Sequence, residues 1–171
     1  MTSQTQSVRT SRSGRRIFGR AQNDRILDPY QSGHKPREPS ACPQCGAVYH
    51  QGRWQAGQAP EDAQLHLCPA CRRIGDRLPA GLVTLHHVPE HLKGQIVGLV
   101  RNEEAAEKGE HPLNRVIAIE HLGDDMIVST TDIHLPRRIG EALKRAHHGN
   151  LETKFDDNAY FVRLDWYPPT K

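Results

Sequence analysis

The four cysteines of this 171-residue chain occur as two copies of one device, Cys42-Pro43-Gln44-Cys45 and Cys68-Pro69-Ala70-Cys71, with 22 residues between them. A Cys-x-x-Cys turn aims two sulfurs at one point, and two such turns close a tetrahedron around a metal ion. The pattern predicts one structural zinc ion, Zn2+, held by Cys42, Cys45, Cys68 and Cys71. Four thiolates leave no position for water, so a site of this kind holds structure and does not activate a nucleophile. Gly46, directly after the first turn, suits a residue that must take positive φ. Two other chemistries stand beside zinc, a pair of structural disulfides and a redox pair. A disulfide framework goes with a secretory signal, and a redox Cys-x-x-Cys needs no second copy. His50 and His66 lie between the motifs and read as polar loop histidines. The loop of residues 48–67 carries Trp54, two glycines and few aliphatic side chains, so it predicts a short hairpin with little core. Metal binding then has to supply much of its folding free energy.

Charge divides the chain more sharply than its net value of +3 suggests. Residues 1–41 carry eight Lys/Arg against three Asp/Glu, a net +5, whereas residues 42–171 carry 15 against 17, a net −2. The basic excess belongs to the first segment, which is also rich in Ser, Thr, Gln and Gly and poor in large apolar residues. Such a composition cannot bury enough surface to offset its ordering entropy, and predicts a disordered basic tail. Arg9, Arg12, Arg15, Arg16 and Arg20, with Phe18 among them, suit contact with RNA, where guanidinium groups pair with phosphates and stack on bases. A solvated tail without a partner, or a transit peptide, has the same composition. There is no apolar run of about 18 residues to span a membrane, and the N-terminus lacks the apolar core of a secretory signal. Together with reduced thiols these features lead to the expectation of a cytoplasmic protein.

Downstream the pattern becomes that of a compact α+β domain over residues 81–167, after the zinc-ribbon module of residues 42–80 and before a short end at 168–171. Residues 81–86 read as a strand. From Pro89 to about Lys108, Leu92, Ile96, Val97, Leu99 and Val100 recur at helical spacing. Residues 115–121 and 126–131, joined by Gly123-Asp124-Asp125, read as a hairpin. Asp132 can cap a second helix whose apolar face is Leu135, Ile139, Ala142, Leu143 and Ala146, with Gly149 as its stop. Two strands follow, residues 151–155 and 160–166. The first six elements match a ferredoxin-like split βαβ layout, two helices on one face of an antiparallel sheet, with an extra C-terminal strand.

The paired knuckles, together with Leu99-Val100-Arg101-Asn102-Glu103-Glu104-Ala105 and the segment from Ser129-Thr130-Thr131-Asp132 to Arg137-Arg138-Ile139-Gly140-Glu141-Ala142-Leu143, resemble a family of short bacterial proteins. That family is similar to the zinc-ribbon portion of the large-ribosomal-subunit export adaptor of archaea and eukaryotes, the nonsense-mediated decay protein 3 type. The likeness covers roughly residues 42–167, and the second segment is its more specific part. It implies association with the ribosome or rRNA without enzymatic turnover, in dormancy (hibernation), assembly or quality control. It carries over the four cysteines as zinc ligands, with Arg137 and Arg138 as RNA contacts. The chain departs from the adaptor in having four cysteines where the adaptor has two zinc sites, and in lacking its further domains and export signals.

Other residues invite chemistry and have simpler readings. Thr130, Thr131 and Asp132 stand where a helix start could place an anion, but Asp132 as the cap would repel it. Arg137 and Arg138 begin a basic helical face that suits a phosphate backbone or plain solvent. The many histidines show no metal-ligand spacing, and Glu103, Glu104, Glu107 and Glu110 read as the exposed side and end of the first helix. Trp54, Trp166 and Tyr167 could stack on bases, although Trp166 suits packing against a helix better. No nucleophile elbow, Cys-His pairing or phosphate-binding glycine loop is present, so no small-molecule substrate is inferred. A protein-binding zinc-ribbon adaptor, in transcription or degradation, is the second reading.

Overall fold

The structure, a computed structural model, describes residues 27–31, 33 and 35–170. The five tail arginines, Arg9 to Arg20, lie outside these residues. Two sheets organise the described chain.

The first sheet belongs to the cysteine module and has the order β3-β2-β1-β4, from β1 (Ser40–Ala41), β2 (Val48–His50), β3 (Arg53–Gln55) and β4 (Gln64–Leu65). The hairpin expected between the cysteine pairs is β2–β3. Its turn residues Gln51 and Gly52 both take positive φ, 52° and 76°, the combination that matches the twist of a two-residue hairpin. Glu38 caps that turn, its two oxygens each accepting at 2.8 Å from the amides of Gln51 and Gly52. Part of the stretch grouped with the tail by composition is thus woven into the module, through Glu38 and through β1. The second Cys-x-x-Cys opens a helix that the hydrophobic pattern does not announce, α1 (Pro69–Asp76). Cys68 is its N-cap, Pro69 occupies its first turn where no donor is lost, and Arg77 closes it in the left-handed conformation.

The second sheet has the order β6-β7-β5-β9-β8, from β5 (Gly81–Leu85), β6 (Val116–Leu122), β7 (Asp125–Thr130), β8 (Asn150–Phe155) and β9 (Val162–Tyr167). Two helices, α2 (Glu90–Glu110) and α3 (Leu135–His147), cover one face. Val83, Leu85, Met126, Val128, Leu164 and Trp166 from the strands meet Ile96, Val100, Leu135, Ile139 and Leu143 from the helices in one core. Each such side chain contributes about 1.5–3 kcal/mol on burial. Ala146 is exposed and does not extend that face.

The half β5-α2-β6-β7 follows the expected split βαβ layout, with β7 antiparallel between β5 and β6. The last two strands differ from it. A ferredoxin-like fourth strand would lie beside β5, but β9 occupies that place and runs parallel to β5, so the sheet is mixed and β8 is pushed to the edge. Burial explains the exchange. Val162, Leu164 and Trp166 present a fully buried alternating face, while five of the six residues of β8 are exposed. Gly81 starts β5 where a Cβ would lie 2.7 Å from Thr130 Oγ1 and 2.9 Å from the carbonyl of Asp132, so only glycine lets the start of α3 cross it. Gly149, with φ 83°, stands against the Trp166 indole in the same way.

Candidate metal centre and the adjoining cleft

The Sγ atoms of Cys42, Cys45, Cys68 and Cys71 all lie within 4.8 Å of one another, and Cys45 and Cys68 are 3.6 Å apart. None is in a disulfide, and 3.6 Å is far beyond an S–S bond of about 2.05 Å. A tetrahedron with metal–sulfur bonds of about 2.3 Å has sulfur–sulfur edges of about 3.8 Å, so the cluster needs little adjustment to hold one metal ion. Loop and helix supply it in equal parts. Gly46, with φ 73°, turns the chain back so that its amide reaches the carbonyl of Cys42. On the other side α1 points its first amides at the sulfurs, Cys71 N donating to Cys68 Sγ at 3.4 Å, and Cys68 N donates to Cys42 Sγ at 3.4 Å.

Burial pushes the Cys68 thiol well up, and that of Cys71 up to about 11. Burial also opposes ionisation of Cys42, but amides of Cys68, Cys45 and Gln44 outweigh it and bring its thiol down to about 7. Converging thiols in such a setting become ligands when a cation replaces their protons. The surrounding core is small: Ala47 and Ala70 are buried with the cysteines, and Trp54, Leu67 and Leu113 pack partly against them. Leu113 comes from the α+β domain, as does Arg115, whose Nη1 donates to Cys71 Sγ at 3.4 Å. A cation against a ligating sulfur offsets part of its charge and fixes its orientation. His50 pairs loosely with Glu38, and His66 stacks beside Trp54. Neither enters the sulfur cluster.

Beside the centre lies a cleft of about 690 Å³ between the cysteine module and the α+β domain. One wall is Trp54, His66 and Arg72, and the other is Asn114, Thr131 and Asp132. The segment around Asp28 and Tyr30 completes it. Asp28 Oδ1 meets Arg73 Nη2 at 2.5 Å, both side chains buried, and the Arg73 guanidinium lies 4.2 Å from the centre of the Tyr30 ring. The second wall is braced by hydrogen bonds within the α+β domain. Arg115 N donates to Thr131 Oγ1 at 2.9 Å, Thr131 Oγ1 donates to the carbonyl of Leu113 at 2.6 Å, and Glu104 accepts from Val116 N.

Asp132 caps α3 as expected, although two residues ahead of the formal N-cap, His134: its Oδ2 accepts from the amides of His134 at 2.6 Å and Leu135 at 3.0 Å. Its other oxygen, Oδ1, is buried with no hydrogen-bond partner among the described residues. Burial raises the Asp132 carboxyl, the amides of Leu135 and His134 pull it back, and nearby Glu107 adds to the rise. Glu107, expected on the exposed side of its helix, is instead 6% exposed, because Asn114 at 2.8 Å and Arg138 at 2.8 Å both bond to it. Arg138, itself exposed, also pairs with Glu103 at 3.4 Å, and Arg137 is exposed beside it. Trp166 is fully buried and donates to the carbonyl of His148, and Tyr167 stacks on His86. Trp54, half-buried in the cleft, is the aromatic best placed to meet a ligand. No described helix is long and apolar enough to cross a membrane. In comparisons with known proteins, no family model, no curated protein and no solved structure matches this chain.

Proposed function

We propose that this is a non-catalytic, zinc-dependent RNA-binding protein of the cytoplasm that acts on the ribosome, in dormancy, assembly or quality control. The observation that carries the reading is the cleft at the junction of the two modules, which is lined by five Lys/Arg against three Asp/Glu. Two of the five are ion-paired, Arg73 with Asp28 and Arg138 with Glu107, and Arg72 donates to the carbonyl of Tyr30 at 2.8 Å. Lys35, Arg53 and Arg72 remain exposed at the cleft, a compact set of cations suited to a phosphate backbone. The arginine-rich residues 1–20 would add a sequence-independent electrostatic contribution. Zinc fits the all-thiol donor set and would act by folding the module, without an open coordination position for chemistry.

A second reading, a protein-binding adaptor, is favoured by the open face of the large sheet. There Glu120, Ile127, Thr84, Asp165 and Glu152 form one row across five strands. Asp125 and Asp165 hold His86 between them at 3.4 and 3.0 Å. An acidic row of this kind repels phosphate and suits a basic protein surface. Sedimentation of a lysate containing the tagged protein, at low and high salt with metal content measured, separates the two. Comigration with a ribosomal peak that fades with salt, at one zinc per chain, supports the first. Residence at the top of the gradient at every salt concentration refutes it.

A further inference from the structure

The four sulfurs of the metal centre are not equivalent. Cys42, Cys68 and Cys71 are 2%, 0% and 4% exposed, whereas Cys45 is only half-buried, between Gln44 and Gly46, which are both exposed. Hydrogen bonding divides them in the same way. Cys42 Sγ accepts from the Cys68 amide and Cys68 Sγ from the Cys71 amide, both at 3.4 Å, and Cys71 Sγ accepts from Arg115 Nη1 at 3.4 Å. Among the described residues no N–H donates to Cys45 Sγ, which stands 3.6 Å from Cys68 Sγ.

These differences matter once a metal has replaced the thiol protons. With all four sulfurs held as thiolates, acidity no longer ranks them, and what remains is access and the electron density left on each sulfur. An N–H donated to a thiolate stabilises the anion and draws density away from it. Cys42, Cys68 and Cys71 are damped in this way and shielded from solvent. Cys45 is undamped and open in part. Thiolate character, exposure and a second cysteine within reach are what make a sulfur react with oxidants. Cys45 alone of the four combines them, with Cys68 as the second cysteine.

On the zinc part of the reading above, and independently of its RNA partner, we infer that Cys45 is the oxidation site of this centre, converted by a hydroperoxide into a disulfide with Cys68 that expels the metal. The Cys45 thiolate attacks one peroxide oxygen, the O–O bond breaks, and a sulfenic acid forms as hydroxide leaves. The Cys68 thiolate then attacks the Cys45 sulfur, an S–S bond replaces the S–O bond, and a second hydroxide leaves. The two sulfurs give up two electrons in all, and with two protons from solvent the peroxide becomes two molecules of water. Because the new bond joins the two Cys-x-x-Cys turns, each turn is left with a single thiolate, Cys42 in one and Cys71 in the other. Neither turn keeps a chelating pair.

The test exposes the zinc-loaded full chain to less than one equivalent of hydrogen peroxide, follows released zinc with a chromogenic chelator, and maps disulfides by mass spectrometry after an acid quench. One zinc ion should appear in solution for each disulfide formed, and the first disulfide should join Cys45 to Cys68. A limiting dose of N-ethylmaleimide on the same preparation should place the first label on Cys45. Neither measurement needs a variant, so a substitution that fails to fold cannot obscure the result. A first disulfide within either Cys-x-x-Cys turn overturns the inference, as does a first label on Cys42, Cys68 or Cys71. So does zinc that stays bound through an excess of peroxide. Each of these outcomes leaves the zinc reading standing. A full chain that binds no zinc refutes both, and a chain that stays off ribosomes yet loses zinc as Cys45 joins Cys68 refutes only the RNA-binding reading.

Discussion

Removing the carboxylate of Asp28 should destabilise the protein far more than loss of a surface ion pair. Asp28 and Arg73 are 8% and 5% exposed, and their side chains meet at 2.5 Å. Deleting one member of a buried pair typically costs about 3–5 kcal/mol, because the other charge stays desolvated without compensation. Two contacts survive for Arg73 in Asp28→Ala: its bond to the carbonyl of Leu78 at 3.0 Å and its stacking on Tyr30. These place the cost at the lower end, about 3 kcal/mol. For a chain of this length that is a fall in Tm of about 6–12 °C, read by calorimetry of the metal-loaded protein with a urea melt as the second probe. The combination Asp28→Ala with Arg73→Met removes both charges, and should recover most of the loss, since no uncompensated charge remains. A loss below about 1 kcal/mol in Asp28→Ala, the range of exposed pairs, would refute the reasoning. So would a double variant less stable than either single one.

Chelation of the metal, or Cys68→Ser, should release the module of β1–β4 and α1 while leaving the larger domain folded, because beyond its alanines and thiols the module buries little more than Val48 and Tyr49, where the domain buries sixteen core residues. Hydrogen exchange would show protection lost over residues 40–76 and kept in β5, β7 and β9. A loss spread evenly over both would contradict it. The raised carboxyl of Asp132 sets a pH dependence with a definite sign. The folded protein holds that proton to higher pH than the unfolded chain, so the contribution is present below the ordinary aspartate value of 3.8 and is lost as pH rises through the folded value. The stability of wild type relative to Asp132→Asn should therefore decline as pH rises through that window, and a difference independent of pH would count against burial as the cause. Gly98, mid-helix with nothing within 4 Å of where a methyl would stand, and Gly149, at φ 83° against Trp166, make a matched pair. Gly98→Ala should gain about 0.5–1 kcal/mol and Gly149→Ala should lose more than that, both measured by urea titration.

Much of the local structure was legible because it depends on local chemistry. Two Cys-x-x-Cys turns at a 22-residue separation sufficed for the sulfur cluster, and the 3.6-residue spacing of Leu92, Ile96 and Val100 marked α2 to within two residues. Strand order was another matter. The alternation Val162, Leu164, Trp166 marks an interior strand, and Glu152 with Lys154 marks an edge, but taking the strands in chain order places β8 inside and β9 at the rim. The helix α1 carried a usable sign in Cys68-Pro69, a cap followed by a proline in the first turn. Glu107 and the pairing of Asp28 with Arg73 gave no such sign. Their burial comes from residues 31 and 45 positions away, Arg138 and Arg73 respectively, and charge in a helix or a tail ordinarily faces water.

The position of Arg115 explains why a metal module and an α+β domain should share one chain. Its guanidinium touches Cys71 Sγ, and its backbone N–H and C=O both bond to Thr131, the residue before Asp132. The sulfur cluster and the orphan carboxylate are therefore two ends of one hydrogen-bonded path, each fixed against the same short stretch of backbone. Leu113, two residues earlier, packs on the cysteines from the same side. Neither module alone makes the cleft, since Trp54 and Arg72 stand on one and Thr131 and Asp132 on the other. A metal bound by Cys42, Cys45, Cys68 and Cys71 would therefore do more than fold a small sheet: it would hold the aromatic and cationic wall at a set distance from Thr131 and Asp132. On the RNA-binding reading, an ion without an open coordination site would act on binding through that distance.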